Sequence, residues 1–462
     1  MSSINTDKIN IYLPIEIKVR EFHGKILFAL VAAEAGFRVI IGGQKALRNQ
    51  LHTFPPGIYM DKSVAVSKER WFERFHRLGN RIVAWDEEGL VIHEHQYLKS
   101  RFSQKAFDLV DFFFAWGNFQ KDIIIDKLPG EKDKVLLAGN PRFDMLRPEL
   151  KGFYAKSATL LNEEHGPIIL VNTNFGFYNH LKGVKEARRL FMNSSSHTNE
   201  EFIDDWIVFQ EELFKHFVDV IPWLSETFSD HTIIIRPHPS EDEVRWHSLA
   251  ATAPNVKVLK SGNVLEWIAA SDVVIHSNCT TGIEAYLLGV PSVAYRPVLS
   301  EIYETYLPNA MSSCVYTSKE FQTLMEDILS NGHSQNYIHN EGIQKIAANY
   351  ISNTDEMLSS DFIVERLKKI DFTTGESVLA KIILRNYQKI EDKLRIIKEY
   401  VSGAFLTYQK ADIYDKQKFP GIDDREIQDI VKRFQTVTNK FENIQVNKTK
   451  GACFVIEHST IR

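Results

Sequence analysis

Cysteine is scarce in this sequence: Cys279, Cys314 and Cys453 are the only three among 462 residues. Three widely spaced thiols cannot form a disulfide scaffold or a four-thiolate zinc site, and they suit a reducing compartment. Long apolar runs are missing as well. None approaches the about 18 residues that a membrane-spanning helix needs. The opening Met1-Ser2-Ser3-Ile4-Asn5 is polar and lacks the apolar segment of a secretory leader. A cytoplasmic protein is therefore expected, with peripheral contact to the inner face of the cytoplasmic membrane left open. Nor is there a surplus of positive charge. Lys and Arg total 55 against 60 Asp and Glu, a net charge of -5, which argues against a nucleic-acid binder. What is present is an ordinary globular mixture, 44% hydrophobic and 25% charged, able to bury a large core in two or three domains.

The chain alternates short apolar runs with amphipathic stretches. Strands are predicted at 9–13, 39–41, 57–60, 81–85, 112–115 and 135–138, with helices over 22–36, 67–78 and 119–127. The pattern restarts with strands at 167–171, 232–235, 256–259, 273–275 and 292–295 and a long helix over 200–228. Alternation of this kind predicts α/β architecture with covered parallel sheets. Residues 145–166 read as a linker and 191–200 as a loop, and helical patterns dominate beyond about 340. The expected organisation is two Rossmann-like, doubly wound domains, 1–150 and 151–345, then a helical C-terminal extension, 346–462. Ligand would sit in a cleft between the domains, beyond the C-terminal ends of the strands.

Four polar clusters follow predicted strands. Asp86-Glu87-Glu88-Gly89 places three acids at a strand end, with Asp86 and Glu88 on one face and Glu87 on the other. Crowded carboxylates raise one another's pKa, which suits a general base, although a solvated acidic turn has the same composition. In Arg236-Pro237-His238-Pro239-Ser240 two prolines fix the backbone around a histidine. Arg236 and His238 could meet a phosphate, and His238 could protonate a leaving group. In Ser277-Asn278-Cys279-Thr280-Thr281-Gly282-Ile283-Glu284, hydroxyl residues precede a helix start. That end is an anion site in which Ser277, Thr280, Thr281 and Gly282 would hold phosphate and Glu284 a ribose, or else an ordinary capped helix. Asn172-Thr173-Asn174-Phe175-Gly176 would line the same cleft, or form a simple turn. His93 and His95 have metal-ligand character without a third ligand, so a structural role is expected and no metal. Lys381, Arg385, Lys389 and Lys393 make a basic helix stripe that is either lipid-binding or a solvated face.

Together these clusters resemble known enzymes. Glu87-Glu88-Gly89 and His238-Pro239 are similar to the acidic and His-Pro motifs of bacterial sialyltransferases, and Ser277 with Thr280-Thr281 to their Ser/Thr motif. Leu13-Pro14-Ile15-Glu16, Gly57–Ser63, Ala84–Leu90, Phe114–Gly117 and Gly139–Asp144 resemble bacterial surface carbohydrate biosynthesis proteins over most of residues 9–300. The resemblance implies a GT-B fold and a glycosyltransferase. Its donor would be a CMP-activated 2-keto acid sugar (Kdo, sialic acid or another nonulosonic acid) and its acceptor a glycan of lipopolysaccharide, capsule or glycoprotein. It implies Glu88 as base or nucleophile, with Asp86 and Glu87 as competitors, and His238 as the residue that assists departure of CMP. It also implies a nucleotide site including Arg236, Pro239 and the two Ser/Thr- and Asn-rich loops, with no cofactor. Lys18 and Arg20, placed in the loop after the first strand, are candidates for the donor carboxylate. A UDP-sugar 2-epimerase, a CDP-glycerol-type transferase and a non-catalytic glycan-pathway binder remain alternatives on the same architecture.

Overall fold

Fourteen strands organise the described residues of the computed structural model. These residues are 8–92, 97–99, 101–194, 200–330, 341–353, 357–372, 386–387, 390, 418–449 and 452–459. His93, His95 and the stripe Lys381, Arg385, Lys389 and Lys393 lie outside them. Contacts divide the chain into two units, Met1–Phe153 with Asn349–Arg462, and Tyr154–Ala348.

In the first unit β1 (Asn10–Ile15), β2 (Arg38–Gly43), β3 (Gly57–Asp61), β4 (Arg81–Trp85), β5 (Phe112–Ala115) and β6 (Val135–Leu137) are parallel. β13 (Ile444–Thr449) and β14 (Cys453–His458) extend the sheet to the order β13-β14-β2-β1-β3-β4-β5-β6. All six residues of β1 are buried, as a strand covered on both faces must be. The helix Lys18–Glu34 follows β1, and Gly36, at φ +96°, ends the segment in the conformation glycine tolerates best.

The second unit is a six-stranded parallel sheet of β7 (Ile168–Asn172), β8 (Thr232–Arg236), β9 (Val256–Val258), β10 (Val273–His276), β11 (Ser292–Tyr295) and β12 (Ser313–Val315), in the order β12-β11-β10-β7-β8-β9. The helix Glu200–Thr227 lays Phe209, Leu213, Phe217, Val220, Ile221 and Leu224 against Ile169, Val171, Ile233 and Ile235. That spacing is one face of a helix. Truncating Phe217, fully buried there, to Ala costs about 3–5 kcal/mol.

Four expectations are corrected. Residues 145–166 do hold the boundary between the units, at Phe153/Tyr154, but as the helix Gly152–His165 rather than an irregular linker. Ala155, Lys156, Ala158, Leu160 and Leu161 are strong helix formers that outweigh the Pro148 and Gly152 signals. The helix Val184–Ser194 runs into the start of the expected loop at 191. Lys18 and Arg20 occupy the first turn of a helix, not a loop. Nor do the described residues of 346–462 form a separate helical extension: β14 pairs antiparallel with β2, Ile456 opposite Val39. Asp144 ties the same segment in by accepting from the backbone N–H groups of Ser359 (2.7 Å) and Ser360 (2.8 Å), at the start of the helix Ser359–Leu367.

Candidate functional site

In the second unit Asn172 sits opposite both Arg236 and His276 in the ladder, so β7, β8 and β10 end at one level. Three of the four sequence clusters therefore converge on one rim. Asn174 Nδ2 donates to the Asn278 carbonyl at 3.4 Å. A Cβ on Gly176 would stand 2.2 Å from Ser240 Oγ, so glycine leaves that hydroxyl its place between the two loops.

Glu241 organises this rim, and sequence reasoning missed it. It is 1% exposed. Its Oε1 accepts from Thr173 Oγ1 (2.7 Å), the Phe175 amide (3.0 Å) and the His238 amide (3.1 Å). Its Oε2 accepts from Trp246 Nε1 (3.0 Å) and Asn179 Nδ2 (3.4 Å). A buried carboxylate is tolerable only when its lone pairs are satisfied in this way. The one available signal was an acid just beyond Pro239-Ser240, where two loops had to be fastened.

His238 is exposed. Its Nδ1 accepts from the Ser240 amide (3.3 Å) and lies 2.8 Å from Ser240 Oγ. An accepting Nδ1 places the proton of the neutral ring on Nε2. Pro237 is buried and Pro239 exposed, and Pro239, without an N–H, offers restraint rather than a phosphate donor. Arg236 is corrected. Its guanidinium donates to the carbonyls of Leu259, Lys260, Ser261 and Gly262 at 2.7–3.3 Å and lies over the Trp267 ring. It clamps that loop instead of reaching for a phosphate. Burial, only partly opposed by Glu266, pushes it down to about 10.

On the third loop Asn278 adopts φ +55°, and its Oδ1 accepts from the Thr305 amide (3.1 Å) and Asn309 Nδ2 (2.7 Å). Ser277 Oγ accepts from Asn278 Nδ2 at 3.2 Å. Thr280 is the N-cap of the helix Thr281–Leu288 but makes no side-chain cap bond, so its hydroxyl is not committed to the helix. The amides of Gly282, Ile283 and Glu284 already donate to the Cys279 and Thr280 carbonyls. Gly282 has a steric reason: its Cβ would fall 2.2 Å from His276 Nε2. His276 is fully buried. Its Nε2 faces Ser312 Oγ at 2.9 Å and its Nδ1 accepts from the Cys279 amide at 3.4 Å, and burial pushes it down to about 3. Thr173 and Glu284 are buried, at 3% and 2% exposure. Asn172 is buried too, and its Nδ2 has no hydrogen-bond partner.

In the first unit the adjacent strands β1, β3 and β4 end in Glu16, Lys62 and Asp86-Glu87-Glu88. The structure distinguishes the three acids. Asp86 is 1% exposed, and its Oδ1 accepts from Arg101 (2.9 Å) and the Glu88 amide (3.1 Å). Glu87 is 3% exposed, takes Trp85 Nε1 at 2.8 Å and pairs with the buried Lys25 at 3.2 Å. Glu88 alone is open, its side chain 39% exposed and paired with Arg20. Burial raises the Asp86 pKa against the pull of Arg101. Burial would raise that of Glu88 too, but the charges of Arg20 and Arg101 outweigh it and hold Glu88 below the usual range. With Asp86 raised and Glu88 lowered, crowding alone does not set this turn: each of the three carboxylates has its own cation or buried donor. Lys18 is held by Glu426 at 2.5 Å. Gly89 is needed because a Cβ would stand 2.1 Å from Gln120 Nε2. Among the described residues no group of three or more His, Cys, Asp or Glu is arranged to hold a metal ion, and no helix is long and apolar enough to cross a membrane.

No protein-family model and no curated protein matches the chain. Solved structures do. A UDP-GlcNAc 2-epimerase from Neisseria meningitidis, bound to UDP-GlcNAc, superposes with TM-score 0.50 at 14% identity, over 79% of this chain and 100% of that one. The wall teichoic acid polymerase TagF, soaked with CDPG, gives 0.47 at 10% identity over 78% and 88%. HepE from Anabaena, in complex with UDP and glucose, gives 0.43 at 10% over 79% and 100%. The likeness to the epimerase is one of fold: the chain consists of two Rossmann-like α/β domains of the GT-B type.

Proposed function

We propose that the chain is a glycosyltransferase that moves a 2-keto acid sugar, a nonulosonic acid or Kdo, from a CMP-activated donor to a surface-glycan acceptor. The observation that carries this reading is the rim of the second unit. There an exposed imidazole with its proton on Nε2 follows the strand next but one to that of a Ser/Thr loop, and both loops are fastened to the segment after the intervening strand, one through Glu241 and the other through Asn174. Departure of CMP builds negative charge on its phosphate. His238 Nε2–H and the hydroxyls of Ser277 and Thr280 supply hydrogen bonds where that charge appears. The reading assigns the phosphate charge to protein donors and calls for no metal or cofactor. Glu88, open and held ionised beside Arg20, is the carboxylate of the first unit that can activate an acceptor hydroxyl or capture the sugar. In the same turn Asp86 accepts from the Glu88 amide and Glu87 is paired with the buried Lys25. This reading puts the protein in the cytoplasm.

The alternatives separate in one assay. The full chain is incubated with CMP-sugars, UDP-GlcNAc and CDP-glycerol, and nucleotide release and product are followed. Release of CMP, reduced about a hundredfold or more in both His238→Ala and Glu88→Gln, is expected. Turnover of UDP-GlcNAc or CDP-glycerol alone replaces the donor assignment. No turnover of any donor points to a binding protein. The turn Gly139-Asn140-Pro141 has a structural explanation: Asn140 caps the helix Pro141–Asp144 by accepting from the Arg142 amide at 2.9 Å.

A further inference from the structure

The first unit contains a second polar constellation that the transfer chemistry leaves unused. Glu16 follows β1 and Lys62 follows β3, the neighbouring strand. Lys418 arrives from the C-terminal segment, more than 350 residues away in sequence. Lys418 Nζ reaches Glu16 Oε1 at 3.2 Å, and Lys62 pairs with Glu16 Oε2. The two ammonium groups thus grip the two oxygens of one carboxylate. All three side chains stay partly open, at 21–28% exposure.

This position is a ligand position for a sheet of this kind, beyond the C-terminal ends of adjacent parallel strands. The Lys62 carbonyl accepts from the Glu87 amide at 3.1 Å, which sets the constellation directly beside the acidic turn. Lys418 is not a loose end. Phe419 packs its ring on Gly43, at the end of β2, where a Cβ would come within 2.7 Å. Burial, more than the charges of Lys68, Lys418 and Arg101, pushes the Lys62 ammonium down to about 8 against the pull of Glu88.

We propose that Lys62 and Lys418 bind an anionic group of the acceptor, a phosphate or a carboxylate, and that the Glu16 carboxylate occupies that place in the unliganded protein. This deepens the acceptor role given to the first unit and rests on it. It also makes the C-terminal segment part of the binding site rather than an appendage.

The test is calorimetric titration of the full chain with inorganic phosphate and, separately, acetate, at ionic strength balanced with sodium chloride, with and without saturating CMP. Phosphate and acetate arms distinguish the two sources of the anion. Wild type is expected to bind one of them in both conditions. Lys62→Met and Lys418→Met should each weaken binding about tenfold, and Lys418→Arg should preserve it. Glu16→Gln should tighten it about tenfold by removing the resident competitor, a gain that a purely structural ion pair would not produce. No anion binding by wild type, unchanged binding in both Met variants, or no gain in Glu16→Gln overturns the proposal. Failure of CMP to bind would count against the donor assignment alone, because the variant series is read without CMP as well.

Discussion

Replacing Glu241 with glutamine is the most informative single perturbation of the second unit. The side chain keeps its shape but loses its charge and one acceptor. Its amide nitrogen must then face either the three donors at Oε1 or the two at Oε2. The less costly choice sets it against Trp246 Nε1 and Asn179 Nδ2. That breaks two hydrogen bonds to an ionised acceptor and leaves a buried indole N–H without a partner. Bonds to charged groups contribute about 1.5–3 kcal/mol each, so a loss of about 3 kcal/mol is expected after partial relaxation. With a urea dependence of about 3 kcal/mol per molar for a unit of this size, the midpoint should fall by about 1 M. Nucleotide turnover should fall as well, because Thr173, Phe175 and His238 lose their common anchor. An unchanged midpoint would refute the reasoning, since it would mean that this carboxylate does not hold the loops together.

Other outcomes follow from the same geometry. Gly282→Ala places a Cβ against His276 Nε2 and Ser312 Oγ, so a destabilisation of about 1–3 kcal/mol by denaturant titration is expected from overpacking. His276 stays neutral in the fold down to about 3, against an ordinary 6.5. Its contribution to stability is complete above pH 6.5 and is lost as pH falls through the window below. Stability at pH 5 should be about 2 kcal/mol lower on this account, and a variant lacking the histidine should flatten that slope. Removing residues 346–462 should unfold the first unit, because β2 then loses β14 and Asp144 loses both serine amides. Circular dichroism and proteolysis would show it.

Sequence and structure agree where the pattern is periodic. The strands at 81–85, 112–115 and 292–295 are read to the residue, because continuous apolar runs between polar turns leave little choice. Convergence of the loops after β7, β8 and β10 was also legible, since parallel strands deliver their C-terminal ends to one edge. What could not be read was how each charge is used. Arg236 looks like a phosphate ligand in sequence, and only its four carbonyl partners reveal a clamp. Asp86, Glu87 and Glu88 look equivalent until burial and the distinct partners Arg101, Lys25 and Arg20 separate them. Glu241 and Lys418 were invisible because their significance lies in contacts distant along the chain. The strands at 444–449 and 453–458 were missed because the helical pattern before them dominated the reading, although Val446, Val455 and Ile456 carry ordinary β-branched signals.

The central claim concerns one rim and one ligand, and a crystal of the full chain soaked with CMP examines it directly. The account expects the CMP phosphate within hydrogen-bond distance of His238 Nε2 and of the Ser277 or Thr280 hydroxyl. Cytidylate bound elsewhere on the molecule, or no cytidylate at a concentration that saturates the protein in solution, would contradict it.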